Sequence, residues 1–287
     1  MYLNQPLQIG VSVEIGSESA HYLSNVLRLR EGSLFRAFNG NDNEFGCEYL
    51  LELCRSKNVK RMKNIDQVHA NVLSQIRNSE SNTQLPVTLY FAPIRSKKVK
   101  LLLEKATELG VEKMAVVQTE LTQGGNDFLD SESLLRVIVD AVEQSERISL
   151  PSLSVEPVSL VELLDHWQRL KDNGDEVRLL VCKERMDQSG GMPLLSALLQ
   201  TPQLLISEGK HLRERSTPFG LVVGPEGGWT TAESDLFRER SVVQTVSLGD
   251  SVLRSETACI TALSLFSGAV DHVRWKQSVE VQTEQTK

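Results

Sequence analysis

Apolar positions between residues 86 and 276 follow two alternating spacings. Short runs of apolar and β-branched residues, such as 87–92 and 219–223, are typical of buried strands. Longer stretches place apolar residues three or four positions apart, as Val99, Leu102 and Leu103 do, and predict helices. The predicted strands are 87–92, 114–118, 177–182, 219–223 and 242–248, and the predicted helices are 96–109, 131–145, 192–199, 231–240 and 256–270. This alternation indicates an α/β fold with a parallel sheet covered on both faces.

The first 75 residues have a different pattern, which is mostly β. Apolar stretches at 34–38 and 49–53 are separated by a segment, 39–43, whose asparagines and glycine indicate a turn. Only residues 19–30 look helical, and Gly32 follows them as a stop signal. A small β-barrel with one helix fits this pattern.

The two patterns predict two domains in a chain of 287 residues. The first domain is 1–75, and the polar segment 76–85 is the predicted linker. The second domain is 86–276, and the polar residues 277–287 are a predicted frayed tail.

Several classes of protein do not fit the sequence. No apolar run is long enough for a membrane helix, and the start lacks the features of a signal peptide, so we expect no membrane partner. The four cysteines form no CxxC pair and the five histidines are scattered, so we expect no metal. Free cysteines are natural in a reducing compartment, and a cytoplasmic location is expected.

The net charge of −7 argues against nucleic acid as a partner, but the basic residues are clustered. Arg28 and Arg30 belong to a basic first quarter, and Arg95, Lys97 and Lys98 to a second cluster. Because screening limits the reach of distant charges, such patches can still contact a phosphate backbone. The alternative is that these side chains only solvate exposed faces.

The strongest candidate for a binding site is the segment 221–233, which contains Gly224-Pro225-Glu226-Gly227-Gly228. A buried strand runs into this glycine turn, and Thr230 with Glu233 forms a capping box for the next helix. Glycines allow a ligand to lie against bare backbone, and ligands of open α/β sheets bind at the carboxyl ends of strands. The alternative is a tight strand-to-helix turn without a ligand.

A second strand-to-helix turn covers residues 246–258. Arg254 and Glu256 stand at the start of a helix that is apolar nearly all round, and such a helix is normally buried. Charges at its entry are costly unless they are paired or functional. One alternative is structural, in which the Glu256 carboxylate interacts favourably with the helix dipole and Arg254 pairs with Glu256. A third segment, 143–151, places Arg147 at a helix end, as a phosphate contact or as a helix cap.

Taken in order, six segments of the chain resemble the ribosomal RNA small-subunit methyltransferase E family, of the SPOUT class. They are His21-Tyr22-Leu23 through Gly32, Lys105 through Val111, Glu143-Gln144-Ser145 with Arg147, Cys182-Lys183-Glu184-Arg185, Gly224 through Gly228, and Leu248-Gly249 through Ala258. The resemblance implies a small PUA-like β-barrel followed by a trefoil-knotted parallel-sheet domain. It also implies S-adenosylmethionine as the cofactor, a homodimer, and ribosomal RNA or the small ribosomal subunit as the partner.

The activity that the resemblance implies is methylation of N3 of a uridine in 16S rRNA. Arg254 and Glu256 are the candidate catalytic residues, because a guanidinium can stabilise negative charge on the uridine carbonyls. The candidate cofactor-binding residues are Val223, Gly224, Glu226, Gly227, Gly228, Leu248, Gly249, Leu253, Thr257 and Ala258. The candidate RNA-binding residues are Arg28, Arg30, Arg95, Lys97, Lys98 and Arg147. Two alternatives remain, namely a methyltransferase acting on another RNA such as tRNA and a non-catalytic RNA-binding protein with the same fold.

Overall fold

A computed structural model of the chain describes residues 1–40, 47–55, 68–77, 84–94, 96–122, 131–184, 191–205 and 218–285. The chain divides into two compact units. The first consists of Met1–Thr83 together with Val142–Leu150, and the second of Gln84–Ala141 and Pro151–Lys287. Among the described residues, no helix has both the length and the apolar character needed to cross a membrane.

The first unit contains a four-stranded antiparallel sheet. Its strands are β1 (Ser12–Ile15), β2 (Leu34–Phe38), β3 (Glu48–Arg55) and β4 (Val68–Arg77), in the order β1-β4-β3-β2. Residues that alternate along these strands, such as Leu51 and Leu53, are fully buried and form the core with Leu23. Helix α1 (Ser17–His21) continues into one π-helical segment, Tyr22–Val26. The predicted helix at 19–30 therefore begins earlier and ends earlier than expected.

The second unit is built on a seven-stranded sheet. Its strands are β5 (Leu85–Phe91), β6 (Val111–Gln118), β7 (Ser152–Ser159), β8 (Arg178–Cys182), β9 (Met192–Pro193), β10 (Phe219–Val223) and β11 (Val243–Ser247). Their order is β7-β6-β5-β10-β8-β11-β9, and every pairing is parallel. The predicted α/β fold with a parallel sheet is confirmed.

The helices of this part of the chain are α2 (Ser96–Glu108), α3 (Ser131–Gln144), α4 (Leu160–Asp172), α5 (Leu194–Leu199), α6 (Pro202–Leu205), α7 (Thr231–Glu239) and α8 (Ser255–Gln285). The first turn of α8 leads directly from the loop after β11. Ala262, Leu263 and Phe266 of this helix are fully buried, as its apolar pattern predicts.

Several features of the second unit differ from the sequence-based expectation, since α6 was not predicted and β9 occupies the first two residues of the predicted helix 192–199. Strand β7 and helix α4 were not predicted, because β7 is an edge strand whose side chains are at most half-buried and it lacks a clear apolar run. Helix α8 continues to Gln285, through most of the predicted tail. Its last residues are rich in glutamine and glutamate, which lose little rotamer freedom in a helix, so polarity alone did not end it.

Candidate active site

Three neighbouring strands end at one edge of the parallel sheet and create a cleft. Strands β10, β8 and β11 are adjacent, and they end at Val223, Cys182 and Ser247. The loops that follow them border this cleft, which lies where ligands of open α/β sheets bind. The lining residues are Cys182, Lys183, Glu184, Val223, Gly224, Pro225, Gly228, Trp229, Leu248, Gly249, Ser251, Leu253 and Ala258.

The glycine turn after β10 is closed by its own backbone and by the helix behind it. The Gly228 amide donates to the carbonyl oxygen of Pro225 at 2.9 Å, and Gly228 has a φ of +74°, a conformation that favours glycine. The predicted capping box of α7 is present, with reciprocal hydrogen bonds between Thr230 and Glu233. The other carboxylate oxygen of Glu233 accepts the Glu120 amide at 2.9 Å, so this side chain also holds the loop after β6.

Trp229 forms one wall of the cleft, a role that the sequence did not indicate. Its indole N–H donates to the carbonyl oxygen of Cys182 at 2.9 Å, and its ring meets Phe237 edge-on at 4.9 Å between centroids. A Cβ on Gly224 would lie 2.9 Å from the Trp229 ring. The absence of a side chain at Gly224 therefore allows Trp229 to pack beside the strand end.

Seven of the ten predicted cofactor-binding residues line the cleft. They are Val223, Gly224, Gly228, Leu248, Gly249, Leu253 and Ala258. Glu226, Gly227 and Thr257 do not line it and are exposed. A Cβ on Gly227 would meet Leu121 at 3.1 Å, so this glycine faces the loop after β6 instead of the cleft.

The start of α8 is fastened to the glycine turn. The Ser255 hydroxyl donates to the carbonyl oxygen of Gly224 at 3.1 Å. Glu256, in the first turn of the helix, is 8% exposed, whereas Arg254 is exposed beside Leu253 of the cleft. The guanidinium of Arg254 forms no hydrogen bond or ion pair within the part of the chain that the structure describes.

The partner of Glu256 differs from the one that the sequence suggested. Lys98, on α2, places its ammonium 3.3 Å from Oε2 of Glu256 and 2.5 Å from Oε1 of Glu226. The hydrogen bond to Glu226, followed by the interaction with Glu256, raises the pKa of Lys98 against the opposing effect of burial. The alternative in which Arg254 pairs with Glu256 is absent from the described residues, where the carboxylate contacts Lys98 instead.

Two buried thiols lie at this edge but are poor nucleophiles. Burial raises the pKa of Cys182 to about 12, and it raises the pKa of Cys259 with smaller effects from Cys182 and Glu256. Both thiols are therefore protonated at neutral pH and serve as apolar packing. Among the described residues, no group of three or more His, Cys, Asp and Glu side chains could hold a metal ion.

The predicted RNA-binding residues have varied surroundings. Arg28 and Arg30 are exposed in the first unit, and Lys97 is exposed in the first turn of α2. Arg147 is half-buried, its Nε and Nη2 have no hydrogen-bond partner, and burial lowers its pKa. Arg95 lies outside the described residues.

Arg28 has an unusual backbone conformation. Its φ is +56°, and the Leu29 amide donates to the carbonyl oxygen of Leu23 at 2.9 Å. This bond closes the end of the π-helical segment, and glycine is the residue that most often occupies the left-handed position at such a helix end. An arginine there carries a steric cost that glycine would not.

Comparison with protein families identifies both parts of the chain. Residues 80–267 match the model of an RNA methyltransferase domain, and residues 15–51 match that of an RNA methyltransferase PUA domain. The ribosomal RNA small subunit methyltransferase E of Rickettsia conorii is 27% identical over 265 residues, which cover 92% of this chain and 93% of that protein. The Bacillus subtilis protein of the same name is 27% identical over 279 residues, covering 95% and 96%.

Solved structures give the same result for the fold. A methyltransferase from Legionella pneumophila, solved with the cofactor SAM bound, has a TM-score of 0.63 and 26% identity over 93% of this chain and 96% of its own. An rRNA methyltransferase from Porphyromonas gingivalis reaches a TM-score of 0.66 at 19% identity, over 90% and 93% of the two chains. The resemblance drawn from six short segments is thus confirmed, including the PUA-like first domain. With a domain model matched over more than half of its length, the chain belongs to the RNA methyltransferase family.

Proposed function

We propose that this chain methylates N3 of a uridine in 16S rRNA, using S-adenosylmethionine. The observation that carries the proposal is the match along nearly the whole chain to proteins named ribosomal RNA small subunit methyltransferase E. The cleft at the carboxyl ends of β10, β8 and β11 lies where ligands of open α/β sheets bind, and glycine backbone and apolar side chains line it.

The residues around the cleft fit this cofactor. Bare backbone at Gly228 and Gly249, with no protein atom within 4 Å of an added Cβ, can approach a flat, polar-edged ligand, while Leu248 and Leu253 offer apolar surface. S-adenosylmethionine supplies an electrophilic methyl group when it is bound. Because no protein nucleophile is needed, the protonated thiol of Cys182 can line the cleft without competing for that methyl group.

The base must be held in line with the methyl group and must lose its N3 proton. Negative charge then spreads onto the two ring carbonyls of uridine. We assign Arg254 to the stabilisation of that charge, since its guanidinium is exposed beside the cleft and forms no pair within the described chain. Glu256 is assigned to the same site, to assist removal of the proton, since its carboxylate contacts Lys98 and not Arg254.

RNA contacts are proposed for Arg28, Arg30, Arg95, Lys97, Lys98 and Arg147. Arg28 and Arg30 are exposed cations of the unit that contains the PUA match, whereas Arg147 is half-buried. The proposal includes a homodimer that acts in the cytoplasm. Exposed apolar side chains on and before α8, at Val252, Trp275 and Val279, are suitable for a contact between copies.

The test is methylation of separated RNA species. The protein is incubated with S-adenosylmethionine labelled in its methyl group and with 16S rRNA, small subunits or tRNA, and the labelled base is mapped. We expect label at N3 of one uridine in 16S rRNA. Label in tRNA alone would support the other RNA substrate. A protein that does not bind the cofactor, or that transfers no methyl group to any RNA, would support the non-catalytic alternative.

Arg254 variants test the assigned chemistry. Arg254→Ala and Arg254→Lys should each lower the single-turnover rate by roughly two orders of magnitude, because lysine lacks the planar fork of the guanidinium. Arg238→Ala, on the exposed face of α7, serves as the control and should keep the wild-type rate. Near-normal rates in both Arg254 variants would remove this residue from the mechanism, and a collapsed melting temperature would indicate a structural role.

A further inference from the structure

The position of Lys98 is unfavourable for the helix that carries it. Lys98 lies in the first turn of α2, and that turn contains no acidic residue. The amino end of a helix carries partial positive charge, so a lysine there is repelled unless carboxylates compensate. Two carboxylates do so, and both come from segments that are distant in sequence and next to the cleft.

Glu226 and Glu256 belong to the two turns that frame the cleft. Glu226 is part of the glycine turn after β10, between Pro225 and Gly228, which line the cleft. Glu256 is in the first turn of α8, between Leu253 and Ala258, which also line it. One ammonium, at 2.5 Å from the first carboxylate and 3.3 Å from the second, therefore connects both turns to α2.

The carboxylate of Glu256 depends strongly on this cation. Glu256 is 8% exposed, and its Oε2 is buried without a hydrogen-bond partner. A buried carboxylate oxygen without a donor is costly unless a counter-charge is close. The ammonium of Lys98, at 3.3 Å, is that charge. The cation closest to Glu256 in sequence is Arg254, two residues earlier, and it is exposed.

We propose that Lys98 is a positioning residue for methyl transfer. It fixes the spacing of the two turns that frame the cleft, through Glu226 and Glu256. It also neutralises the charge of Glu256, so that Arg254 remains free for the substrate. This inference rests on the proposed function. It gives Lys98 a role toward the cofactor cleft, distinct from the phosphate contact that its basic cluster suggests.

The first test is cofactor affinity, measured by calorimetry without RNA. Lys98→Met removes the charge but keeps most of the length, and it should weaken binding of S-adenosylmethionine about tenfold or more, the scale of a lost charged contact. Lys98→Arg, which can serve two carboxylates, should stay within about threefold of wild type. Lys105→Met is the matched control, because Lys105 also bridges two glutamates of α2, Glu104 and Glu108, but away from the cleft. It should leave cofactor affinity unchanged.

The second test separates this role from RNA binding and from simple stabilisation. In a double-mutant cycle, Lys98→Met should have a smaller effect on cofactor affinity in a Glu226→Gln background, because the lost partner is shared. Strict additivity would overturn the proposal. The proposal would also be overturned by normal cofactor affinity together with weaker RNA binding whose dependence on salt, as log K against log salt concentration, is smaller by about one. That is the result expected of a phosphate contact. A lower melting temperature with normal cofactor affinity would also overturn it.

Failure of the proposed function has a different signature. If the wild-type protein binds S-adenosylmethionine but methylates no uridine of 16S rRNA, the substrate assignment is wrong, while the affinity results still decide the role of Lys98. The single-turnover rate at saturating cofactor adds a further readout. Lys98→Met should lower it about tenfold even when the cofactor site is full, because Arg254 is then diverted to Glu256.

Discussion

Replacement of Glu233 should destabilise the protein more than an ordinary helix-cap mutation does. Its carboxylate is 2% exposed and serves two different backbone segments. Oε2 accepts the Thr230 amide at 2.9 Å, which caps α7, and Oε1 accepts the Glu120 amide at 2.9 Å, which holds the loop after β6. Removal of the carboxylate leaves both amides without this acceptor.

The magnitude follows from these contacts. A hydrogen bond to a charged group contributes about 1.5 kcal/mol or more, so Glu233→Ala should lower the free energy of unfolding by about 3 kcal/mol. Glu233→Gln keeps one acceptor oxygen and should cost roughly half of that, about 1.5 kcal/mol. Thr230→Ala removes only the hydroxyl that caps α7 and should cost about 1 kcal/mol.

Urea unfolding followed by circular dichroism measures the three variants on one scale. We expect Glu233→Ala to be the least stable, followed by Glu233→Gln and then Thr230→Ala. A Glu233→Ala variant within about 1 kcal/mol of wild type would refute the reasoning, because a cap alone accounts for that value. Equal costs for Glu233→Ala and Thr230→Ala would show that the bond to the Glu120 amide contributes nothing.

Three further predictions concern the cleft, the RNA surface and the thiols. Gly228→Val should weaken cofactor binding about tenfold or more by calorimetry, because the residue has positive φ and lines the cleft, whereas Gly227→Ala should have little effect on it. Arg28→Gly should raise the free energy of unfolding by about 1 kcal/mol, because it relieves the left-handed strain. It should also weaken RNA binding and reduce by about one the slope of the logarithm of the binding constant against the logarithm of the salt concentration. Equal RNA affinity would contradict a role in binding. Iodoacetamide at pH 8 should label Cys47 and Cys54 well before Cys182, whose pKa burial raises to about 12; equal rates at Cys182 would contradict its burial.

The periodicity of the chain was sufficient to predict most of the second unit. Strands such as β5 and β10 are buried along nearly their whole length, and sheets covered on both faces select continuous apolar runs. The helices between them carry one-sided apolar patterns, as Val99, Leu102 and Leu103 of α2 do, and all three are buried. Local pattern and tertiary burial therefore agree, and the prediction succeeded for that reason.

Elements with weaker local signals were missed. Strand β7 pairs with one neighbour only and contains Pro157, which central strands do not tolerate. Helix α4 did carry a usable signal, since Ser159 and Glu162 form a capping box at its start. Its core residue Trp167 is fully buried, which a search based on that signal would have predicted.

The candidate site could be located from the sequence, but its contacts could not. The glycine turn and the start of α8 predict a cleft, because each follows a strand and precedes or begins a helix. The partner of Glu226 is Lys98, 128 positions away, and no spacing rule relates residues at that separation. The nearest cation in sequence to Glu256 is Arg254, and sequence proximity favoured it over the cation that the fold brings to the carboxylate.

The glycine motif itself shows why a recognised motif does not assign its residues. Gly224 leaves room for Trp229, Gly227 lies against Leu121, and Gly228 has the positive φ that closes the turn and borders the cleft. Each glycine thus has a separate physical reason, and each reason includes a constraint that is internal to the protein. Loss of cofactor binding in a variant of Gly224 would therefore not show contact with the cofactor, because displacement of Trp229 would reshape the cleft wall by itself. A side chain on Gly228 would meet no protein atom within 4 Å at the border of the cleft, but it would strain the left-handed turn, so the melting temperature of a Gly228 variant must be measured together with its cofactor affinity.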